Sequence, residues 1–231
     1  RILTVSDSPE DEMATPYFQQ RIESVPSTQD VARENLGELP VLIMTPSQTK
    51  GRGREGSEWI AADRAVAASL AFACDGDDTR PFSLMAGVAA ARIAEAAMLK
   101  WPNDVVLGEL KVGGILVERS ADVVVVGLGL NLWWPDPPEG MAGLLGEDPG
   151  EDRYAEVGGL WGAELMRLVD SDGWPIDEYR SLCVTIGMDI TWDPDGSGRA
   201  VAVGDDGGLV VETDTGRETI FSGGVRHVRV S

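Results

Sequence analysis

"LKWPNDVVLGELKVGGILVERS", residues 99–120, reads as a short strand, a tight proline turn and then a hairpin that reverses near Gly108-Glu109. The next run, "DVVVVGLGLNL" (122–132), is β-branched and apolar and reads as a buried strand. Upstream, "VLIMT" (41–45) is a third strand. "AVAASLAF" (65–72) reads as a fourth, with a buried helix as the other reading. Helices are expected after Ser27 or Thr28, which can cap, with Val31, Ala32 and Leu36 on one face. Others are expected over the alanine-rich 81–98 and over 154–170 and 175–185. Strands in hairpins mixed with helices give an α+β class, a sheet flanked by helices, and not the regular alternation of a doubly wound fold. Residues 1–15 read as a lead-in, 16–186 as the main domain and 187–231 as a small antiparallel β unit, whose valine-rich runs are broken by "DPDGSG", "GDDGG" and "DTG". "WWPDPPEGMAGLLGEDPGED" (133–152) reads as a mobile surface loop.

The chain has 231 residues, 43% of them hydrophobic and 25% charged, which is ordinary globular composition. Its net charge of −20 argues against a general nucleic-acid binder, which needs a basic face to displace counterions, and against an anionic membrane as partner. Cys74 and Cys183 are too few for a disulfide framework or a metal cluster, and read as buried thiols in a reducing cytoplasm.

Against that acidic background, "KGRGREGSEW" (50–59) gathers Lys50, Arg52 and Arg54 into a glycine frame. Gly51, Gly53 and Gly56 let backbone approach a ligand, and arginine forks suit phosphate or carboxylate oxygens. The loop lacks the lysine and hydroxyl of a P-loop, and a solvated basic turn is the bland alternative. Its glycines cost entropy to fix, so it is expected to be mobile without ligand. Lys100, Asn103 and Asp104 flank the proline turn; Lys111 precedes Gly113 and Gly114; Asn131 is a polar amide on an apolar strand. His227, Trp161, Trp174 and Trp192 read as packing residues.

Taken together and in order, "STQ" (27–29), "QTKGRGREGSEW" (48–59), "KWPNDV" (100–105), "KVGGILVE" (111–118) and "GLGLN" (127–131) resemble the biotin protein ligases. The likeness covers roughly residues 18–185. It implies a biotin/lipoate ligase-like catalytic domain with a mixed central sheet, and it makes the 187–231 tail, ending in "SGGVRHVRV", similar to the family's small SH3-like β-barrel. No winged-helix segment is read ahead of the catalytic part, so the expected form is the monofunctional one. The implied reaction joins biotin and ATP into biotinyl-5′-AMP and passes biotin to a lysine of a biotin carboxyl carrier protein, an acyl-CoA carboxylase subunit. Mg²⁺ is the implied metal, and a monomer or a homodimer the implied assembly.

The resemblance also distributes roles. Ser27, Thr28, Gln29 and Gln48 fall to biotin's ureido end, with Gly51, Arg52, Gly53, Trp59, Gly113 and Gly114 completing the biotin site. Arg54, Lys100, Asn103, Asn131 and Trp133 fall to ATP and the adenylate, and the 133–152 loop folds over the nucleotide. Lys111 bridges both substrates, Asp104 is the candidate magnesium ligand, and Arg54, Lys111 and Asp104 form the catalytic set. The sequence departs from the family where Gln29 replaces an asparagine and where Glu55, Ser57 and Glu58 lower the charge of the loop, which points to weaker retention of the adenylate. A lipoate or octanoate ligase or transferase, and a non-catalytic biotin- or nucleotide-binding homologue, are the alternative readings.

Overall fold

The computed structural model describes residues 15–120, 122–221 and 224–228, without the Glu55 side chain. The lead-in therefore lies outside the described residues except for Thr15, whose backbone N–H and hydroxyl bond the Asp170 carboxylate. In chain order the first elements are β1 (Phe18–Arg21), α1 (Thr28–Asn35), β2 (Val41–Thr45), a 3-10 turn at Arg54–Gly56, β3 (Arg64–Ala73) and α2 (Phe82–Ile93). Then come β4 (Met98–Lys100), β5 (Asp104–Leu107), β6 (Leu110–Ser120), β7 (Val123–Trp133), α3 (Arg153–Asp170) and α4 (Ile176–Leu182). The last are β8 (Asp189–Trp192), β9 (Gly196–Val203), β10 (Leu209–Thr213), β11 (Gly216–Ile220) and β12 (Arg226–His227).

Seven strands form one sheet in the order β1-β2-β3-β7-β6-β5-β4. β1 pairs in parallel with β2, and the other pairs are antiparallel, so the sheet is mixed. The ambiguous 65–72 run is a strand because it sits mid-sheet, bonded to β2 on one side and to β7 on the other. β7 shows how the sheet divides its two faces. Val124, Val126, Leu128, Leu130 and Leu132 enter the main core with α2 and α3. Val125 turns the other way, against Ala32 of α1, Ile43 and Ala71. Further along that second face come Gly127, Gly129 and Asn131, where missing side chains leave room.

Two expectations are corrected here, and a third is met only in part. The alanine-rich helix stops at Ile93, not 98: the chain turns at Ala96 (φ 69°) so that Met98 can enter β4. Alanine content gave no stop signal; burial of Ala94, Ala97 and Leu99 in the core supplies it. The 133–152 segment is stitched to the sheet instead of standing free. Lys111 N–H donates to Gly140 O, Ala142 N–H to Lys111 O, and Leu144 N–H to Asn131 O, while Ala142, Leu144 and Leu145 pack on the core. The second sheet runs β11-β10-β9-β8-β12, antiparallel and open-ended, so pairing among the described residues does not close the small barrel.

Trp161 is fully buried and donates to Ala86 O, as a packing residue. Trp192 packs over Gly196, Trp174 donates to Asp205 O, and His227 bonds the Thr185 hydroxyl. Burial first, and then Lys100 nearby, hold the His227 imidazole below its ordinary pKa.

Arg92 ties three helices together. From α2 it donates to Glu178 of α4 at 2.6 and 2.9 Å and to Glu164 of α3 at 3.1 Å. The hydrogen bond from Arg92 holds the Glu178 carboxyl below its usual range. A carboxyl lowered in the folded state stabilises above its unfolded pKa, about 4.3, and loses that contribution as pH falls through the lowered value. Arg92→Ala is expected to lower stability at pH 7 by about 1–2 kcal/mol, because the fork geometry is good but partly solvated. That corresponds to a fall of roughly 2–8 °C in Tm, shrinking in acid. An equal loss at pH 3 and pH 7, read by calorimetry, would show that the ion pairs are not its cause.

Candidate active site

The open stretch on the α1 face is a cavity of about 260 Å³. Its floor is β3, β6 and β7 at Ser69, Gly114, Gly127 and Gly129, and the 51–59 hairpin forms one side. The hairpin is closed by bonds from Gly53 N–H to Ser57 O, Ser57 N–H to Arg54 O and Trp59 N–H to Gly51 O. Trp59 lies flat on the floor: a Cβ at Gly129 would stand 2.5 Å from its ring, and one at Gly114 3.5 Å.

At one end the lining is polar. The Gln48 side-chain oxygen accepts from Thr28 N–H at 2.7 Å and from Thr28 Oγ1 at 3.1 Å, and Thr28 Oγ1 lies 2.7 Å from Ser69 Oγ. Ser27 holds the N-cap position of α1, yet its hydroxyl makes no capping bond. Gln29 Nε2 donates to Leu116 O at 3.0 Å, which leaves Oε1 buried with no partner in the protein. Trp59 Nε1 is likewise buried and unpartnered.

At the other end the lining is charged. Lys111 Nζ lies 2.6 Å from Asp104 Oδ1. Arg54 Nη1 donates to Asn103 Oδ1 at 3.2 Å, and Asn103 Nδ2 donates to Ile115 O at 2.9 Å, fixing the amide. A β-bulge aims the lysine. Val105 pairs with Gly113 and Val106 with Lys111, so Val112 is the extra residue. Without it Lys111 and Gly114, three apart, would face opposite sides of a strand; with it both line the cavity.

Twelve of the site residues read from the sequence line this one cavity: Ser27, Thr28, Gln29, Gln48, Arg52, Gly53, Arg54, Trp59, Asn103, Asp104, Lys111 and Gly114. Five do not. Gly113 faces the core, where a Cβ would meet Gly129 O and Leu130 at 2.8 Å. Gly51 is wedged between Gln48 and Trp59. Lys100 sits near His227. Trp133 ends β7 outside the lining. Asn131 is fully buried on the cavity's face of the sheet; its Oδ1 accepts from Ala62 N–H at 3.2 Å and its Nδ2 has no partner. Sequence reasoning missed Ser69, although it is the only polar residue in the apolar run 65–72. It also passed over Gly127 and Gly129 as site residues, although alternate glycines in a buried strand signal close approach.

The family model described as biotin/lipoate A/B protein ligase matches residues 21–131. A biotin–[acetyl-CoA-carboxylase] ligase of Paracoccus denitrificans is 31% identical over 215 residues, 77% of this chain and 86% of its own. The chain belongs to the biotin protein ligase family. The bifunctional ligase/repressor BirA of Bacillus subtilis is 30% identical over 85% of this chain and 70% of its own. Among solved structures, the biotin protein ligase from Aquifex aeolicus in complex with biotin and ATP superposes with a TM-score of 0.74. It is 25% identical and covers 91% of this chain and 99% of that one. In this family member, then, the cavity lies on a scaffold shared with that ligase.

Proposed function

We propose that this chain activates biotin with ATP to biotinyl-5′-AMP and transfers biotin to a specific lysine of a biotin carboxyl carrier protein. The observation that carries this reading is the polarity of the cavity: hydrogen-bonding groups at one end, and Lys111 and Arg54 beside Asp104 at the other. The ureido ring carries both N–H donors and a carbonyl, and the unpaired Gln29 Oε1 with the Thr28, Gln48 and Ser69 group answers them. The dithiolane of lipoate has no such donors and would leave the buried Gln29 Oε1 unpaired, so the geometry favours biotin.

Lys111 and Arg54 neutralise the biotin carboxylate and the α-phosphate that must meet. A carboxylate oxygen attacks phosphorus and pyrophosphate leaves. The carrier lysine amine then attacks the acyl carbon and AMP leaves. Asp104 orients the Lys111 ammonium. Among the described residues no three His, Cys, Asp or Glu side chains are placed to hold a metal, and the Asp104 carboxylate is engaged by Lys111. That donor set does not fit a resident ion; magnesium in this reading arrives on the ATP phosphates, as part of the substrate.

The same reading takes 16–186 as the catalytic part and 187–231 as its small SH3-like companion, working in the cytoplasm. The two buried free thiols, Cys74 and Cys183, suit a reducing compartment. No described helix is long and apolar enough to cross a membrane. Biotin-dependent ATP–pyrophosphate exchange tests the proposal, with lipoate and octanoate as competing acids. Exchange with biotin alone is expected; exchange driven better by either fatty acid would overturn the assignment, and exchange with none would leave a binding protein.

A further inference from the structure

Arg52 lines the cavity, but its guanidinium is engaged elsewhere. Nη1 and Nη2 donate to the two oxygens of Asp30 at 2.6 and 2.8 Å, and Nη2 also reaches Glu118 Oε1 at 3.1 Å. Arg33 closes the group, with Nη2 2.6 Å from Glu118 Oε2 and Nη1 3.7 Å from Asp30 Oδ1. The result is a quartet of two cations and two anions spread over three elements: α1 holds Asp30 and Arg33, β6 holds Glu118, and the hairpin holds Arg52. The bond that Arg52 donates to Asp30, with Glu118 beside it, raises the Arg52 pKa and lowers that of Asp30.

The backbone hydrogen bonds described for residues 51–59 are internal to the hairpin. Its charged tethers to the rest of the fold include Arg52 on Asp30 and Glu118, and Arg54 on Asn103. Isolated surface ion pairs contribute little, but a bidentate fork within a network held by a helix and a mid-sheet strand is the geometry in which they do. Holding a glycine-rich loop still costs entropy, which a tether of this kind offsets.

We propose that Asp30 and Glu118 are positioning residues that clamp Arg52 and hold the 51–59 hairpin across the cavity, setting how long the acyl-adenylate stays enclosed. The clamp stands on geometry alone; only its effect on the adenylate rests on the ligase reading. Because the four side chains are 29–44% exposed, the clamp is partly screened, and added salt loosens it.

The test uses the full chain with Asp30→Asn, Glu118→Gln and the double variant. Three rates are read: trypsin nicking after Lys50 and Arg54 without ligand, single-turnover adenylate formation, and release of biotinyl adenylate into a chase. The double variant is expected to be nicked and to release about tenfold faster, a coupling of about 1.4 kcal/mol. Adenylate formation stays within about threefold. In an Arg52→Gln background the same two substitutions are expected to add nothing, which a general structural role for the carboxylates does not predict. Wild-type nicking and release in the double variant, or undiminished effects in the Arg52→Gln background, would overturn the clamp. If the double variant melts early, the single variants carry the same comparison. A wild-type protein that makes no adenylate would count against the ligase reading, while nicking would still judge the clamp.

Discussion

Lys111→Ala is expected to reduce biotin-dependent ATP–pyrophosphate exchange by about 10²–10⁴-fold, the range in which removal of a preorganised charge from a reacting centre falls. Little else in the cavity can take over. The β-bulge at Val112 turns Lys111 inward, the Gly140–Ala142 segment holds its backbone from both sides, and the ammonium sits 2.6 Å from Asp104. A neighbouring flexible lysine would have to reproduce three constraints at once. The loss should appear in the rate of adenylate formation more than in biotin affinity, since the charge acts where two anions meet. Removing the lysine also strands Asp104. Comparing Lys111→Ala with Lys111→Ala/Asp104→Asn separates that penalty from the catalytic loss: only the first should be relieved in the double variant. Exchange within threefold of wild type in Lys111→Ala would take the lysine out of the chemistry.

The second large effect is steric. Gly129→Val is expected to weaken biotin binding by about 10–200-fold, the scale on which small pocket groups discriminate. An added Cβ would stand 2.5 and 2.6 Å from two carbons of the Trp59 ring. That ring cannot simply tilt, because its backbone N–H is bonded to Gly51 O and its far edge rests near Gly114. Either the ring leaves the floor or the base of the 51–59 hairpin shifts. Calorimetric titration with biotin alone reads the effect without the chemistry. Gly146→Ala is the matched control, since nothing lies within 4 Å of a Cβ there, and it should bind as wild type. An unchanged biotin Kd in Gly129→Val would mean that the ligand does not use this floor.

Much of this was legible in the chain. The hairpin reversal at Gly108 (φ 61°), the strand 122–132 and the buried amide of Asn131 follow from local pattern and turn chemistry, while the polar group at "STQ" comes from the family resemblance. What escaped was what depends on register. Gly113 and Gly114 look equivalent in sequence, but only Gly114 faces the cavity, because Gly113 pairs with the inward Leu130. The bulge at Val112 has no local signature. The ion partners of Arg52 are remote: Asp30 lies 22 residues away and Glu118 66, and no local rule joins them. The 133–152 segment looked mobile because its proline, glycine and acid content hid the few apolar residues, Ala142, Leu144 and Leu145, that fasten it.

The second sheet bears on how far the chemistry can be moved. The buried indole N–H of Trp101 donates to Gly207 O at 3.0 Å, Trp174 donates to Asp205 O at 2.8 Å, and Arg180 donates to Val203 O at 2.7 and 2.9 Å. All three reach the turn between β9 and β10. Trp101 stands directly before Pro102, Asn103 and Asp104, so this remote turn backs the corner that carries two residues of the cavity. The portable unit of this protein is therefore larger than the sheet that bears its pocket. A graft of residues 16–186 onto another scaffold would carry every named side chain of the site and leave behind the wall one of its corners leans on.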